Sequence, residues 1–270
     1  MDLPSVVGAP WLAEQLLQED IIVIDCRFRL DNPHWGRQQY DRAHIPRAFY
    51  LDLNRDLSDP PSDRAGRHPL PTPDSLGAKL AALGIIQGKT RVIAYDDARF
   101  AFAARLWWLL RYFGHNRVAL LDGGWPAWVA GGYGVSEALP PAKAAGRFAA
   151  VPRQDWIVKR EALLNFPPGT LLVDARDPRR YRGEWEPIDP HRGHIPGAVN
   201  LYWQQVSDEQ GYLRSPQELA QLWADYQEAE DIWVYCGSGI TACVDLFSLH
   251  LLGRNAKLYP GGWSQWCSYF

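Results

Sequence analysis

Short apolar runs alternate with helix-like stretches along the chain. Runs rich in Val, Ile and Leu occur at 21–27, 91–97, 171–176 and 231–237, with longer helix-patterned stretches between them. Such alternation is typical of strand-helix units. It predicts an α/β fold with mainly parallel sheets flanked by helices.

Two of the predicted helices carry clear start signals. "SPQE" (215–218) places a Ser cap before a proline and a Glu three residues after the cap, and "TPDS" (72–75) keeps the cap and the proline. Amphipathic runs follow both signals. Helices are therefore predicted to begin at these two positions.

The chain repeats one pattern twice. Four blocks of the first half match four of the second in the same order: "IIVIDCR" with "LLVDAR", "AHIPRAFYLDL" with "GHIPGAVNLYW", "RVIAYDD" with "DIWVYCG", and "LLDGGWPAW" with "LYPGGWSQW". A shared order of four blocks predicts two copies of one fold. The stretch 138–154, rich in Pro, Ala and Gly, has no clear period and predicts a linker between a domain at 1–137 and one at 155–270.

Composition and charge limit the classes of protein to which this chain can belong. The 270 residues suffice for two compact domains, and 47% hydrophobic with 22% charged residues is typical of globular proteins. Lys and Arg number 28 against 31 Asp and Glu, with no basic arm, so nucleic acid is not expected as a partner. Without an apolar run of roughly 20 residues or a signal-peptide pattern, we expect a soluble cytoplasmic protein with no membrane partner.

The chain has four cysteines: Cys26, Cys236, Cys243 and Cys267. They are too few for a disulfide scaffold, and no C-x-x-C pair indicates zinc, so we expect free thiols and no metal. Cys26 in an apolar strand and Cys243 in an apolar helix suit the core.

Cys236 has a different setting, in "VYCGSGITACVDL" (234–246). It follows a predicted parallel strand and precedes a turn and a helix, at the sheet edge where α/β proteins bind ligands. Gly237 and Gly239 allow successive amides to point into one concavity that favours an anion, and Ser238 and Thr241 add hydroxyl donors. A thiolate stabilised there would be a nucleophile at neutral pH.

The first repeat has Asp96 where the second has Cys236, so we expect the first domain to lack the nucleophile. A cysteine loop at a strand end also describes phosphatases. Those need an arginine six positions after the cysteine to grip phosphate, and Ala242 stands there. The absence of an arginine at this position weakens the phosphatase interpretation.

Together these motifs resemble the tandem rhodanese family of sulfurtransferases over nearly the whole chain. "CGSGIT" (236–241) is similar to the Cys-Gly-Ser-Gly-Val-Thr signature of the mercaptopyruvate branch, with Ile240 as a conservative departure. The thiosulfate branch typically carries an Arg-Lys pair where Gly237 and Ser238 stand. The resemblance implies two rhodanese-like domains, with the nucleophile in the second.

By that resemblance, Cys236 takes sulfur from a small anionic donor, forms a persulfide, and needs no cofactor. 3-Mercaptopyruvate is the first-choice donor and thiosulfate the second. The acceptor is cyanide or a thiol, either a small thiol or a thioredoxin-like protein. The persulfide is cradled by loop residues Gly237, Gly239, Ile240 and Ala242.

The resemblance also assigns residues outside the loop. Arg180 would hold the donor's carboxylate or sulfonate by paired hydrogen bonds. The mercaptopyruvate branch has a second arginine where Ile188 stands, and Arg192 is the candidate replacement.

"GRHPLP" (66–71) resembles the family segment whose histidine faces the cysteine loop, so His68 would be a partner of Ser238 in proton transfer. Asn54 stands at the accompanying aspartate and cannot stabilise an imidazolium by charge. His44 and His194, in the two "HIP" motifs, are predicted to be structural.

Two alternatives stay open. One is a cysteine-dependent phosphatase or arsenate reductase on the same scaffold. The other is a non-catalytic, persulfide-carrying regulatory module.

Overall fold

A computed structural model describes residues 3–62, 64–141 and 143–270. Contacts divide the chain into two units. Unit 1 comprises the residues up to Asp59, Pro71–Arg153 and Glu209–Leu213. Unit 2 comprises Pro60–Leu70, Gln154–Asp208 and Arg214–Phe270. The segment that carries His68 therefore belongs to unit 2, although it precedes most of unit 1 in the sequence.

Unit 1 is built on a parallel sheet of strand order β1-β5-β4-β2-β3. Its strands are β1 (Val6–Val7), β2 (Ile21–Asp25), β3 (Phe49–Tyr50), β4 (Arg91–Tyr95) and β5 (Val118–Leu121). Its helices are α1 (Ala9–Gln15), α2 (Trp35–Arg42), α3 (Pro73–Ala82), α4 (Ala103–Tyr112) and α5 (Gly124–Ala130). Strand β2, which lies between β4 and β3, is buried along its whole length, as apolar strands between helices must be.

Unit 2 repeats this plan with a parallel sheet of order β7-β6-β8-β9. Its strands are β6 (Thr170–Asp174), β7 (Val199–Asn200), β8 (Asp231–Tyr235) and β9 (Lys257–Leu258). Its helices are α6 (Arg160–Leu163), α7 (Pro178–Tyr181), α8 (Pro216–Leu222), α9 (Ala242–Leu251) and α10 (Gly262–Cys267), with 3₁₀ turns at Gln154–Trp156, Trp203–Val206 and Ala224–Tyr226. The predicted α/β class is confirmed in both units.

The two helix starts predicted from cap signals are also confirmed. Ser215 caps α8 in a full capping box, in which its backbone N–H donates to the Glu218 carboxylate and its Oγ accepts from the Glu218 N–H. Thr72 accepts from the Ser75 N–H at the start of α3. Each signal satisfies N–H groups that the first helical turn leaves unpaired.

A buried ion pair recurs at the end of β2 and at the end of β6, the matching strand of the second repeat. Arg27 donates to Asp25 at 2.6 Å and to the Ala43 carbonyl at 2.6 Å. Arg176 likewise donates to Asp174 at 2.6 Å and to the Gly193 carbonyl at 2.6 Å. This pairing explains why the "D-x-R" and "HIP" blocks repeat together: the arginine joins the strand end to the loop that carries the histidine.

The two histidines of the "HIP" motifs make matching contacts. His44 stacks on Tyr40 and bonds its carbonyl at 2.7 Å, and His194 does the same with Tyr181 at 2.7 Å. The structural role predicted for both is confirmed. Within the described parts of the chain, no helix is long and apolar enough to cross a membrane.

Candidate active site

Cys236 lies directly after β8, the strand that pairs with β6 on one side and with β9 on the other. Its side chain is 2% exposed, and the turn that follows leads into α9. The predicted strand-cysteine-turn-helix order is confirmed. The residue therefore stands at the carboxyl edge of the sheet, where parallel sheets present their ligand sites.

The second glycine of each "GGW" segment packs against the residue that follows the central strand. In unit 2, the Trp263 N–H donates to the Cys236 carbonyl at 2.8 Å, and a Cβ added to Gly262, whose φ is +58°, would lie 2.6 Å from that oxygen. In unit 1, the Trp125 N–H donates to the Asp96 carbonyl at 2.8 Å, and Gly124 is equally crowded. The segment thus fixes the loop in place, and only glycine permits the approach.

The loop of unit 1 shows what this backbone arrangement binds. The Asp96 carboxylate accepts hydrogen bonds from the N–H groups of Ala98, Phe100, Phe102 and Ala103, at 2.8–3.1 Å. Burial raises the pKa of this carboxyl, and the four donors oppose that rise because they stabilise its ionised form. The loop is an anion site filled by its own side chain.

In unit 2 the same loop begins with Cys236 in place of the aspartate. The N–H groups of Ser238 and Ile240, two and four positions after the cysteine, donate to no group that the structure describes, and the Sγ of Cys236 is likewise without a hydrogen bond there. Gly239 has a φ of +75°, and a Cβ at that position would lie 2.4 Å from the Pro260 carbonyl oxygen. The loop therefore keeps amide donors available beside a sulfur atom.

Two further residues predicted for the loop, Thr241 and Ala242, lie at the start of α9. Ala242 is fully buried and begins α9, so the sixth position after the cysteine holds a methyl group and no guanidinium. Thr241 is half-buried, and its carbonyl accepts from the Val244 N–H at 3.0 Å.

His68 reaches the loop from the 60–70 segment of unit 2. Its Nδ1 lies 2.7 Å from the Ser238 Oγ, and its side chain is buried. Asn54 belongs to unit 1, is exposed, and donates its backbone N–H to Asp52 at 2.8 Å.

Arg180, on α7, lies among carboxylates. It donates to Glu186 at 2.7 and 3.0 Å and to Asp189 at 3.0 Å. Burial by itself raises the pKa of Glu186, but hydrogen bonds from Arg180 and from the backbone outweigh it and lower the pKa overall. Arg192 is exposed, and its Cβ would lie 3.7 Å from a Cβ on Gly183.

The other three cysteines are buried in the two cores. Burial raises the pKa of the Cys26 thiol well above its usual value and that of Cys267 to about 11, which keeps both protonated at neutral pH. The Sγ of Cys243 donates to the Gly239 carbonyl at 3.5 Å. Among the described residues, no group of three or more His, Cys, Asp or Glu side chains could hold a metal ion.

Three features of the site were not predicted from the sequence. The first is the ion pair between Arg67 and Asp189. The second is the close approach of Gly262 to the Cys236 carbonyl oxygen, and the third is Asp245, a fully buried acid in α9. The recurrence of "GGW" in both repeats could have indicated that Gly262 has a structural role. Arg67 and Asp189 are far apart in the sequence, so no local pattern connects them.

Asp245 makes the stability of unit 2 depend on pH. Neither carboxyl oxygen has a hydrogen-bond partner in the described chain, and burial raises its pKa well above the usual value. The folded state therefore keeps a proton that the unfolded state releases above about pH 3.9. The contribution of Asp245 to stability is therefore greatest below that pH and falls as pH rises, by about 1.4 kcal/mol per unit while the folded form stays protonated.

We expect Asp245→Asn to remove this dependence. Its advantage in free energy of unfolding over the wild type should grow between pH 5 and pH 7.5, measured by guanidinium titration followed by tryptophan fluorescence. Asp225→Asn, at an exposed position of the same unit, is the matched control and should follow the wild-type profile. Parallel pH profiles for Asp245→Asn and wild type would contradict this role for burial.

Comparison with known proteins agrees with this geometry. The family model of the rhodanese-like domain matches residues 8–131 and 160–269. A Pseudomonas aeruginosa protein named "Probable 3-mercaptopyruvate sulfurtransferase" is 40% identical over 274 residues, covering 98% of this chain and 96% of that protein. An Arabidopsis thaliana protein named "Thiosulfate/3-mercaptopyruvate sulfurtransferase 1, mitochondrial" is 33% identical over 293 residues, covering 97% of this chain and 76% of that one.

A solved structure is similar along the same length. SseA from Escherichia coli, described with the "Rhodanese" fold of 3-mercaptopyruvate sulfotransferases, superposes with a TM-score of 0.83 at 34% identity and covers 96% of this chain and 99% of its own. With both repeats matched and such relatives along nearly all of its length, the chain belongs to the rhodanese family and is a tandem-domain sulfurtransferase.

Proposed function

We propose that Cys236 carries sulfur from 3-mercaptopyruvate, or secondarily from thiosulfate, to a thiol or cyanide. The observation that carries this proposal is the contrast between the two loops. In unit 1 the loop amides hold the Asp96 carboxylate, whereas in unit 2 the matching amides of Ser238 and Ile240 have no acceptor in the described chain. A persulfide anion on Cys236 would supply the missing negative charge.

Loading transfers one sulfur atom between two sulfur-bearing molecules. The Cys236 thiolate attacks the donor sulfur, so an S–S bond forms while the donor's C–S bond breaks and its electron pair stays on carbon as an enolate. The proton of the donor thiol ends on that carbon, which gives pyruvate and the Cys236 persulfide anion. With thiosulfate the S–S bond of the donor breaks instead, and sulfite leaves with the electron pair.

In unloading, the transferred sulfur is again the electrophile, and the Cys236 sulfur becomes the leaving group. A thiolate or cyanide attacks the outer atom, the Cys236 sulfur leaves with the electron pair, and the products are an acceptor persulfide or thiocyanate. The two half-reactions share one covalent intermediate, so ping-pong kinetics are expected.

His68 and Ser238 are proposed to move the proton during loading. The 2.7 Å separation between Nδ1 and Oγ is short enough for direct proton transfer. The Ser238 hydroxyl lies two residues after the nucleophile, and His68 is buried, so both groups are positioned by the fold. This role fits a donor that must deliver its thiol proton to carbon.

Arg180 is proposed to bind the anionic end of the donor. Its side chain is 11% exposed, and its guanidinium lies beside Gly237, with Nη1 and Nη2 each 3.6 Å from where a Cβ on that glycine would stand. A planar fork close to the nucleophile suits a carboxylate.

The intact mass of the protein after incubation with each donor tests this function. Wild type should gain sulfur from 3-mercaptopyruvate more readily than from thiosulfate, and peptide mapping should locate that sulfur on Cys236. Cyanide should then remove it and release thiocyanate. No gain of sulfur from either donor, or hydrolysis of an aryl phosphate at a comparable rate, would overturn the proposal in favour of the phosphatase alternative or a module without turnover.

A further inference from the structure

A small pocket in unit 1 combines an apolar wall with two positive charges. The wall is formed mainly by Leu16, Ile21, Val23 and Phe49, and Arg47 and Lys143 also line the pocket. Ile21 and Val23 are two residues apart in β2, so their side chains lie on one face of the sheet. None of the described residues that line the pocket is acidic. Its space of about 270 Å³, part of it open to solvent, is below the range of roughly 300–1,000 Å³ that holds drug-sized ligands, so it suits a smaller molecule.

Arg47 holds a backbone conformation that favours glycine. It follows the first "HIP" motif at the position where the second repeat has Gly197. Both residues have a positive φ, +67° for Arg47 and +83° for Gly197. Glycine adopts this conformation without strain, whereas the Cβ of arginine opposes it. Arg47 is half-buried, and no hydrogen bond of its side chain to a residue that the structure describes accounts for this strain. Strain of this kind is typical of residues that bind ligands.

The chain around Lys143 is held on the rest of unit 1 from both sides. Before Lys143, the Ala138 carbonyl lies 3.0 Å from the Nε2 of His44, in the "HIP" motif that precedes Arg47. After Lys143, the Gly146 N–H donates to the Ala81 carbonyl of α3 at 2.8 Å. These contacts bring Lys143 to the pocket that Arg47 lines, although the two residues are far apart in the sequence.

The Lys143 ammonium keeps a donor for a ligand. Its Nζ donates to the carbonyls of Glu19 at 3.1 Å and Ile21 at 3.2 Å. An ammonium has three N–H donors, and the third has no acceptor among the described residues. Burial lowers the pKa of Lys143 and the positive charge of Arg47 lowers it further, whereas the carboxylates of Asp20 and Glu19 only partly oppose the change. The two cations are thus close enough to repel each other, and an anion between them would remove that repulsion.

Apolar surface continues from the pocket to the residues beside it in the sequence. Leu17 is 76% exposed and follows Leu16, which lines the pocket. Leu139 is 69% exposed and precedes Pro140, which also lines it. These two leucines supply apolar surface that the hydrocarbon part of a ligand can cover.

We propose that this pocket binds a small carboxylate with a short apolar body. Arg47 and the third donor of Lys143 bind the carboxylate oxygens, since a guanidinium pairs with a carboxylate through two parallel hydrogen bonds. The apolar wall covers the hydrocarbon part, which an inorganic anion lacks. All of these residues belong to unit 1, so the site shares no residue with the Cys236 loop of unit 2 and does not depend on the proposed function.

Binding of butyrate, followed by ligand-observed NMR, tests this site. Wild type should bind butyrate at least roughly tenfold more tightly than acetate, which has a shorter hydrocarbon part, and butyramide, which has no charge. Arg47→Gly restores the residue of the second repeat and so keeps the fold. This variant and Lys143→Gln should each raise the dissociation constant of butyrate by roughly tenfold or more, because each removes one charged donor.

Two further variants control for the unit and for the other carboxylate site. Arg42→Gln, at an exposed arginine of α2 in the same unit, is the matched control and should bind butyrate as wild type does. Arg180→Ala removes the carboxylate ligand proposed for the sulfur donor. It should keep the butyrate affinity of wild type and lose it when Arg47→Gly is added.

Four results would overturn the proposed site. They are no binding of butyrate to wild type at millimolar concentration, equal affinity of wild type for butyrate and butyramide, unchanged affinity in both Arg47→Gly and Lys143→Gln, and loss of butyrate binding in Arg180→Ala alone. The last result would place the bound carboxylate in unit 2.

Discussion

Cys236→Ser is expected to abolish sulfur transfer, with kcat falling by roughly 10⁴-fold or more, as for loss of a covalent nucleophile. A serine hydroxyl beside the same amides is a poor nucleophile and cannot form a persulfide. The midpoint of thermal unfolding should stay within about 4 °C of wild type, because the change is nearly isosteric at a buried position. Thiocyanate release in the presence of cyanide measures the transfer.

The matched controls are Cys26→Ser and Cys243→Ser, which exchange the same atoms at other buried positions. Both should retain activity, since neither sulfur is the proposed nucleophile: Cys26 lies in unit 1, and the Cys243 Sγ donates to the Gly239 carbonyl at 3.5 Å. Equal losses in all three variants would show that folding, and not chemistry, is affected.

Gly262→Ala is expected to lower kcat/KM by about 100-fold, the scale of loss produced by a misplacement of about 1 Å at a reacting centre. The new methyl group would lie 2.6 Å from the Cys236 carbonyl oxygen and 2.8 Å from the Gly237 carbonyl carbon. The loop must shift to relieve this contact, and the nucleophile moves with it. The positive φ adds a conformational cost of about 1–2 kcal/mol.

Gly253→Ala separates these two contributions. Gly253 has a φ of +72°, but a Cβ there meets nothing within 4 Å. This variant should therefore lose comparable stability through backbone strain while keeping its activity. If both variants lose the same fraction of kcat/KM, the proposed contact between Gly262 and the loop has no catalytic effect.

The sequence predicts the parts of this molecule that depend on local pattern. The strands at Ile21–Asp25 and Asp231–Tyr235 follow from continuous apolar runs, and the start of α8 follows from the "SPQE" capping box. The setting of Cys236 follows from a strand, a glycine turn and a helix within thirteen residues. The repeat strengthens each of these predictions because it presents the same pattern twice.

Contacts between residues that are far apart in the sequence were harder to predict. Arg67 and Asp189 are 122 positions apart, and nothing in either neighbourhood indicates that they pair. Arg192 was chosen because it is close to Ile188 in sequence, and its role in donor binding stays a prediction. The contact between His68 and Ser238 was expected only from resemblance to a family.

Asp245 illustrates a different limit. An acidic residue in an apolar helix is usually paired or turned towards water, so its sequence context does not predict a buried carboxyl without a hydrogen bond. Only the packing of α9 against its neighbours determines that Asp245 is enclosed.

A tethered carboxylate cannot diffuse away from the amides that bind it. Asp96 is attached to the backbone of the loop whose N–H groups it occupies, so that loop is permanently satisfied and closed to any anion from solution. Under the proposed function only the loop of unit 2 takes up sulfur, and saturation with a large excess of donor is expected to stop at one sulfane sulfur per chain.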